Sequence, residues 1–482
     1  MTFQRLPLTR FDWTILIAFL VLSVSIAIVL GHGDRTQLQV TDFSWAGRKI
    51  GVADRAFRLA FNRPVDHSSV EQHLSIEPSL PGKISWAGGN LFYTLSELPI
   101  YGLNYQLKLQ DAQTQDGSQR IEPFVSLLNT RDRAFAYIGI APEERGQLVL
   151  YNITQKSKKS LTPRDLVITA FKIYPDGSKL VFSAFERGQT LDRQALYTVT
   201  TGLNFQNPER SQTPGRFQRL LEAKDYQNQR FDLSANGKLI IVQRTNRRNP
   251  AESGLWILSE SGEARPLGVP GGEFLISPDS RAVGVTQRNG VSLIPLTPDA
   301  GPPQFFPGYE ALLGFSKDGS KKLMVKANPD YTRSLLLLSA DGSAKELFKS
   351  LNPILSCLFE PRHEKTLYCL KADVVPTASG QYREEPYLAA IDVETAKDFP
   401  LLALPNYRDV QMSMSPDGVA LLFDQVIATL PGTNDYLMTQ GGQAIADGRL
   451  WLFTLPELEK SKDSLNLLPE ELNPGFKPQW MP

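Results

Sequence analysis

Cysteine and histidine are scarce: the 482 residues hold two of the first and four of the second. That supply excludes a zinc ribbon, an iron–sulfur site and a disulfide-dense scaffold. An excess of one charge is missing as well. Lys+Arg and Asp+Glu both number 51, which removes the basic footprint expected of a nucleic-acid binder. Gly-x-Gly-x-x-Gly and Walker-type loops are absent, so no nucleotide or other cofactor is expected. His-Glu-x-x-His and the Asp-x-Asp-x-Asp-Gly loop are absent too, and with them the expectation of a metal. Without a Gly-x-Ser-x-Gly elbow there is no appended serine hydrolase. What is present is ordinary folded-protein composition, 41% hydrophobic and 21% charged, with room for two or three domains at ~150 residues each.

One long apolar run occurs, 13–30 (WTILIAFLVLSVSIAIVL). At 1.5 Å per residue it reaches roughly 27 Å, near the ~30 Å of a bilayer's hydrocarbon core. It exceeds the ~7–15 apolar residues of a signal peptide, and no Ala-x-Ala site follows. The reading is an uncleaved, single-pass membrane anchor. Arg5 and Arg10 precede it, so the tail 1–12 is expected in the cytoplasm and the remainder outside it, on the periplasmic or an equivalent lumenal side.

Residues 37–130 read as short strands between turn clusters. Phe57, Leu59 and Phe61 alternate with Arg58 and Ala60, and Tyr105, Leu107 and Leu109 alternate with Gln106 and Lys108. Such spacing suggests a β-sandwich. The run FRLAFNRPVD, then Ser69-Val70, Ile76-Glu77-Pro78, Gly102-Leu103-Asn104-Tyr105 and Asp116-Gly117, resembles a bacterial Ig-like domain of the SbsA type. That resemblance implies a spacer or adhesion module and carries no site. The segment 62–66 reads as a turn, and His67, His73 and His363 read as surface histidines.

From residue 134 to 482 one unit recurs: FKIYPDGSKLVF, FDLSANGKLII, FLISPDSRAV, LGFSKDGSKKL, CLFEPRHEKTLY and MSMSPDGVALLF. Pro presets the turn, Asp or Asn accepts nearby backbone N–H groups, and Gly takes the positive φ. Asp176, Asp279, Asp318 and Asp417 are therefore turn formers, with Asn236 serving equally well. A second strand pair follows most units, which makes a four-stranded propeller blade. Residues 134–162 look like a blade without its first strand, and 475–482 look like that strand. About seven blades result, closed by the C-terminal peptide. The turn pattern with its Leu-Trp/Tyr strands resembles the WD-repeat-like β-propeller of the TolB family, whose members are usually six-bladed and soluble. The fold class expected is all-β: one transmembrane helix, an Ig-like sandwich, then the propeller.

Cys357 and Cys369 lie on the two arms of one hairpin, where either a disulfide or a pair of small buried side chains fits. Strand alternation puts second-to-third-strand loops and blade connections on one face. The segments 186–194, 244–254, 373–386, 425–448 and 202–229 are assigned to it. They carry Arg187, Arg193, Arg247, Arg248, Tyr382, Arg383 and Tyr436, residue types favoured at interfaces. The expected function is non-enzymatic: a membrane-anchored scaffold that engages a protein or envelope polymer through this face. The alternative is a polysaccharide lyase or glycosidase acting in the propeller channel.

Overall fold

The computed structural model describes residues 10–31, 37–259, 262–376, 380–404, 407, 409–428, 437–439, 442–456 and 468–482. Among the described residues the chain is all-β apart from two α-helices and short 3-10 turns. It divides into two units, Met1–Glu97 with Asn104–Asn129, and Leu98–Leu103 with Thr130–Pro482.

The apolar run folds as the helix Arg10–Gly31. The anchor expected of it is corrected: among the described residues no helix is long and apolar enough to cross a membrane. The cytoplasmic tail and the far-side placement of the remaining chain rested on that anchor and are withdrawn with it.

In the first unit two four-stranded sheets form. One runs in the order Val40–Phe43, Ala56–Phe61, Asn90–Leu95, Gly82–Ala87; the other runs Lys49–Ile50, Phe124–Thr130, Asn104–Leu109, Leu74–Glu77. Phe57 and Leu59 alternate inward, and Phe57 stacks on Tyr93 with ring centres 5.1 Å apart. Asp66 ends the 62–66 turn by capping a short helix, His67–His73, through Ser68 N–H.

The second unit is a β-propeller. Five four-stranded sheets follow one another: 166–221, 226–266, 274–307, 309–350 and 354–403, here blades 1 to 5. Blade 6 contains Met412–Met414, Ala420–Ala428 and Ile445–Thr454; blade 7 contains Ala134–Gly139, Leu148–Asn152 and Ser157–Ser160. The long strand Glu470–Trp480 serves both. Its start pairs with blade 6 (Trp451↔Glu471) and its end with blade 7 (Phe476↔Ile138, Trp480↔Phe135). Between successive blades lies an apolar cluster. Ile240, Val242 and Leu258 of blade 2 meet Val181 and Leu196 of blade 1. Phe135 and Trp480 meet Leu422 and Leu450 across blades 6 and 7. Ile138 and Leu148 meet Phe182 and Val199 across blades 7 and 1. Seven such clusters, counted among the described residues, run round the array and return to their start.

The repeated turn has the geometry its chemistry requires. Asp176, Asn236, Asp279 and Asp318 each accept, at 3.0 Å, the N–H of the residue two positions on. Hydrogen bonds from Ser316 and Ser320 hold the Asp318 carboxyl down at about 2. Asp417 is buried, and its Oδ2 accepts the N–H of Tyr101 at 2.8 Å. Gly177, Gly237, Gly319 and Gly418 all have φ between 71° and 73°. Blade 5 lacks both residues, so Glu360 receives the Arg362 and His363 N–H groups and Glu364 takes the left-handed position.

Candidate functional site

Neighbouring strands within each blade are antiparallel. First-to-second turns and third-to-outer loops therefore leave one face of the propeller, the turn face. Second-to-third loops and blade connections leave the other, the loop face. The segment 202–229 was assigned to the loop face as a whole, and for its first part that is corrected, because the segment contains the outer strand Phe217–Leu221. Its first part is a third-to-outer loop on the turn face. There Phe205 N–H donates to the Asp176 carbonyl at 2.8 Å, and the Phe205 ring occupies the space beside Gly177. Two other segments are less loop than strand. Thr366–Pro376 and Tyr382–Asp392 stay paired out to Pro376↔Tyr382, and Ala420–Ala428 pairs with Ile445–Thr454 out to Ala428↔Ile445. Both hairpins project their extra length on the loop face.

The structure separates the candidate arginines into braces between loops and side chains nearer the surface. Arg187 donates to the carbonyls of Arg164 at 3.1 Å and Arg145 at 3.0 Å, tying blade 1 to blade 7. Arg247 donates to the Ala223 carbonyl at 3.0 Å and to Asp192 Oδ2 at 2.7 Å, and it reaches the Asp192 carbonyl as well. The Thr190 hydroxyl and Arg247 together hold the Asp192 carboxyl below its ordinary range. These two arginines fix loops rather than present charge. Arg193 and Arg248 are exposed, and Arg383 pairs with Glu385 beside the exposed Tyr382. Tyr436 lies outside the described residues. Cys357 and Cys369 stand directly opposite each other in blade 5 and are joined as a disulfide. Both cysteines are buried.

Composition did not reveal where the apolar surface lies. Twelve large hydrophobic side chains of the propeller are exposed among the described residues. Eight of them belong to the loop face: Leu191, Tyr331, Leu351, Leu355, Val374, Tyr382, Ile427 and Met438. The other four, Phe217, Phe305, Phe399 and Leu468, sit on or beside outer strands. Tyr331 is the extreme case. It is 88% exposed and holds φ at 65°, a left-handed conformation that costs a bulky L-residue roughly 1–2 kcal/mol. The sequence signal was its position in Asn328-Pro-Asp-Tyr, where a turn ordinarily ends in Gly.

The inner strands enclose a cavity of about 520 Å³ lined by Thr169, Lys172, Gln227, Gln229, Asp232, Gln411, Lys477 and Gln479, among others. Asp232 is the one carboxylate among the residues that line it, and both its oxygens are engaged. Oδ1 meets Lys172 Nζ at 2.9 Å, and Oδ2 accepts Ile276 N–H at 3.0 Å. Glycoside hydrolysis ordinarily uses two carboxyl groups flanking the scissile bond. Deeper in the wall, Asp424 is fully buried and accepts Gln411 N–H and Lys477 N–H, each at 2.7 Å. Burial raises its carboxyl to about 7.

Solved structures similar to this chain include TolB from Acinetobacter baumannii, at 14% identity and TM-score 0.39 over 85% of this chain and 83% of that one. A putative 6-phosphogluconolactonase from Bacteroides uniformis is similar at 12% identity and TM-score 0.45, over 72% and 99%. Oligogalacturonate lyase from Vibrio parahaemolyticus is similar at 11% identity and TM-score 0.31, over 71% and 84%. No family model matches the sequence, and no curated protein does. The blades themselves make the second unit a β-propeller, an all-β fold on which many unrelated activities occur.

Proposed function

We propose that the chain is a non-enzymatic binding platform whose propeller docks a protein partner on the loop face, with the N-terminal sandwich serving as an Ig-like spacer. The supporting observation is the one-sided distribution of exposed apolar side chains. Large apolar side chains gathered on one face mark interaction surfaces, whereas singly scattered ones need no explanation. Aliphatic Leu351, Leu355, Ile427 and Met438 accompany the two tyrosines, which fits a protein surface better than a hydrated polymer. A strained, exposed Tyr331 has the character of an anchor kept for contact rather than for stability. Tyr331→Gly relieves the left-handed backbone while removing the ring, so it should leave stability equal or higher and weaken partner capture. Tyr382→Ser should weaken capture from a neighbouring blade. Undiminished capture by the double variant would overturn the reading.

A further inference from the structure

Two buried cations hold the same place in two blades. The left-handed turn residue is Gly237 in blade 2 and Glu364 in blade 5; seven residues on stand Arg244 and Lys371. They are 7% and 1% exposed. Each lies over two aromatic rings. The Arg244 guanidinium carbon is 4.2 Å from the Tyr226 ring centre and 4.8 Å from that of Trp256. Lys371 Nζ is 3.8 Å from the Phe348 ring centre and 5.1 Å from that of Tyr387.

The counter-ion separates them. Lys371 Nζ donates to Asp398 Oδ2 at 2.6 Å. Among the described residues no carboxylate stands within salt-bridge reach of Arg244, and only its Nε finds an acceptor, Asn228 Oδ1 at 3.2 Å. Nη1 and Nη2 donate to nothing described, yet neither belongs to the buried polar atoms sealed without a partner, so both reach solvent. Tyr226 and Trp256 meet edge to face with ring centres 5.2 Å apart, and the guanidinium lies over the pair, which gives its Nη groups no carboxylate; a guanidinium fork meets a carboxylate with two hydrogen bonds. Buried charges are ordinarily paired.

We infer that Arg244 is a receptor for a carboxylate supplied by an acidic side chain of the docked protein. The inference rests on the docking reading above, since Arg244 lies near the loop-face end of its strand, Leu239–Asn246. A monoanion suits the surroundings. Asp225 already acts on Arg244 electrostatically, and Asp192 is engaged by Arg247 close by. A phosphate dianion would meet repulsion that a single carboxylate largely escapes.

Trp256 supplies the reporter. Titrating the full chain with a capped tetraglutamate peptide at constant ionic strength should shift tryptophan emission saturably; capped tetraglutamine should not, and inorganic phosphate should bind more weakly. Arg244→Gln should weaken tetraglutamate binding at least about tenfold, the worth of a charge-assisted bidentate contact. Arg244→Lys should weaken it too, because the fork is gone, so a folding failure of the Gln variant leaves the test intact. Lys238→Gln, at an exposed turn residue of the same blade, should bind as the unaltered chain does. No saturable shift, an equal response to tetraglutamine, tighter binding of phosphate, or normal binding by both Arg244 variants would overturn the proposal. The peptide requires no partner, so the two readings fail separately. Peptide binding alongside normal capture by the Tyr331 and Tyr382 variants would remove the docking face and leave this site. Impaired capture with no peptide binding would remove this site alone.

Discussion

Blades 2 and 5 follow one backbone plan and finish it differently. Where blade 2 opposes Phe231 and Val242, blade 5 opposes Cys357 and Cys369 and joins them. Where blade 2 leaves Arg244 with one acceptor, blade 5 gives Lys371 a carboxylate from its own outer strand. Blade 5 supplies its buried cation with a counter-ion, and its extended hairpin carries exposed Val374 and Tyr382 on the loop face. Blade 2 presents an incomplete ion pair. In a fold built by repetition, the informative positions are those where one copy lacks what another supplies, because the shared backbone removes architecture as the explanation.

The comparison extends to blade 6 and yields the largest expected effect. One residue before the cation position stand Gln243, Leu370 and Asp424. With its carboxyl raised from 3.8 to about 7, folded Asp424 retains a proton that the unfolded chain releases once pH exceeds about 4. Its contribution to stability is therefore fully present below about pH 4 and lost as pH rises to 7, a change of a few kcal/mol. Urea midpoints of the unaltered chain should fall relative to Asp424→Asn between pH 4.5 and 7.5. Parallel pH profiles would show that Asp424 does not titrate there.

Next in size is Asp398→Ala. It strands Lys371, which is almost wholly enclosed, and should cost about 3 kcal/mol in denaturant unfolding. A loss below about 0.5 kcal/mol would mean that the rings alone suffice for the ammonium. The smallest effect should come from Arg244→Met. Removing a buried cation that has no partner carboxylate relieves desolvation as it forfeits the ring contacts, so stability should change by less than about 1 kcal/mol. A loss comparable to that of Asp398→Ala would make Arg244 a structural residue like Lys371.

The propeller was legible because its signal is local. A short acceptor and a left-handed residue must sit at fixed offsets in each turn, whatever surrounds them, and proline often precedes them. Where that rule relaxed, as at Glu360 and Glu364, the flanking apolar strands still marked the blade. Surface assignment depended on longer range. FQRLL, residues 217–221, alternates too weakly to announce an outer strand, so the loop before it was placed on the wrong face. Pro376, Gly380 and Pro386 read as loop residues although the β-branched Val374 and Val375 extend the strand between them. Arg187 and Arg247 resembled interface anchors because sequence cannot show which backbone carbonyls will converge on a guanidinium. Arg244 escaped notice for the converse reason. It opened the segment 244–254 without being singled out, and only the fold reveals that among the described residues no carboxylate comes to meet it.

Photocrosslinking from both faces addresses the docking claim most directly. A photoreactive residue at Tyr331 or Tyr382, in different blades of the loop face, should capture the same protein partner, while one at Ser320 on the turn face should not. Capture of that partner from Ser320, with none from either tyrosine position, would contradict the account.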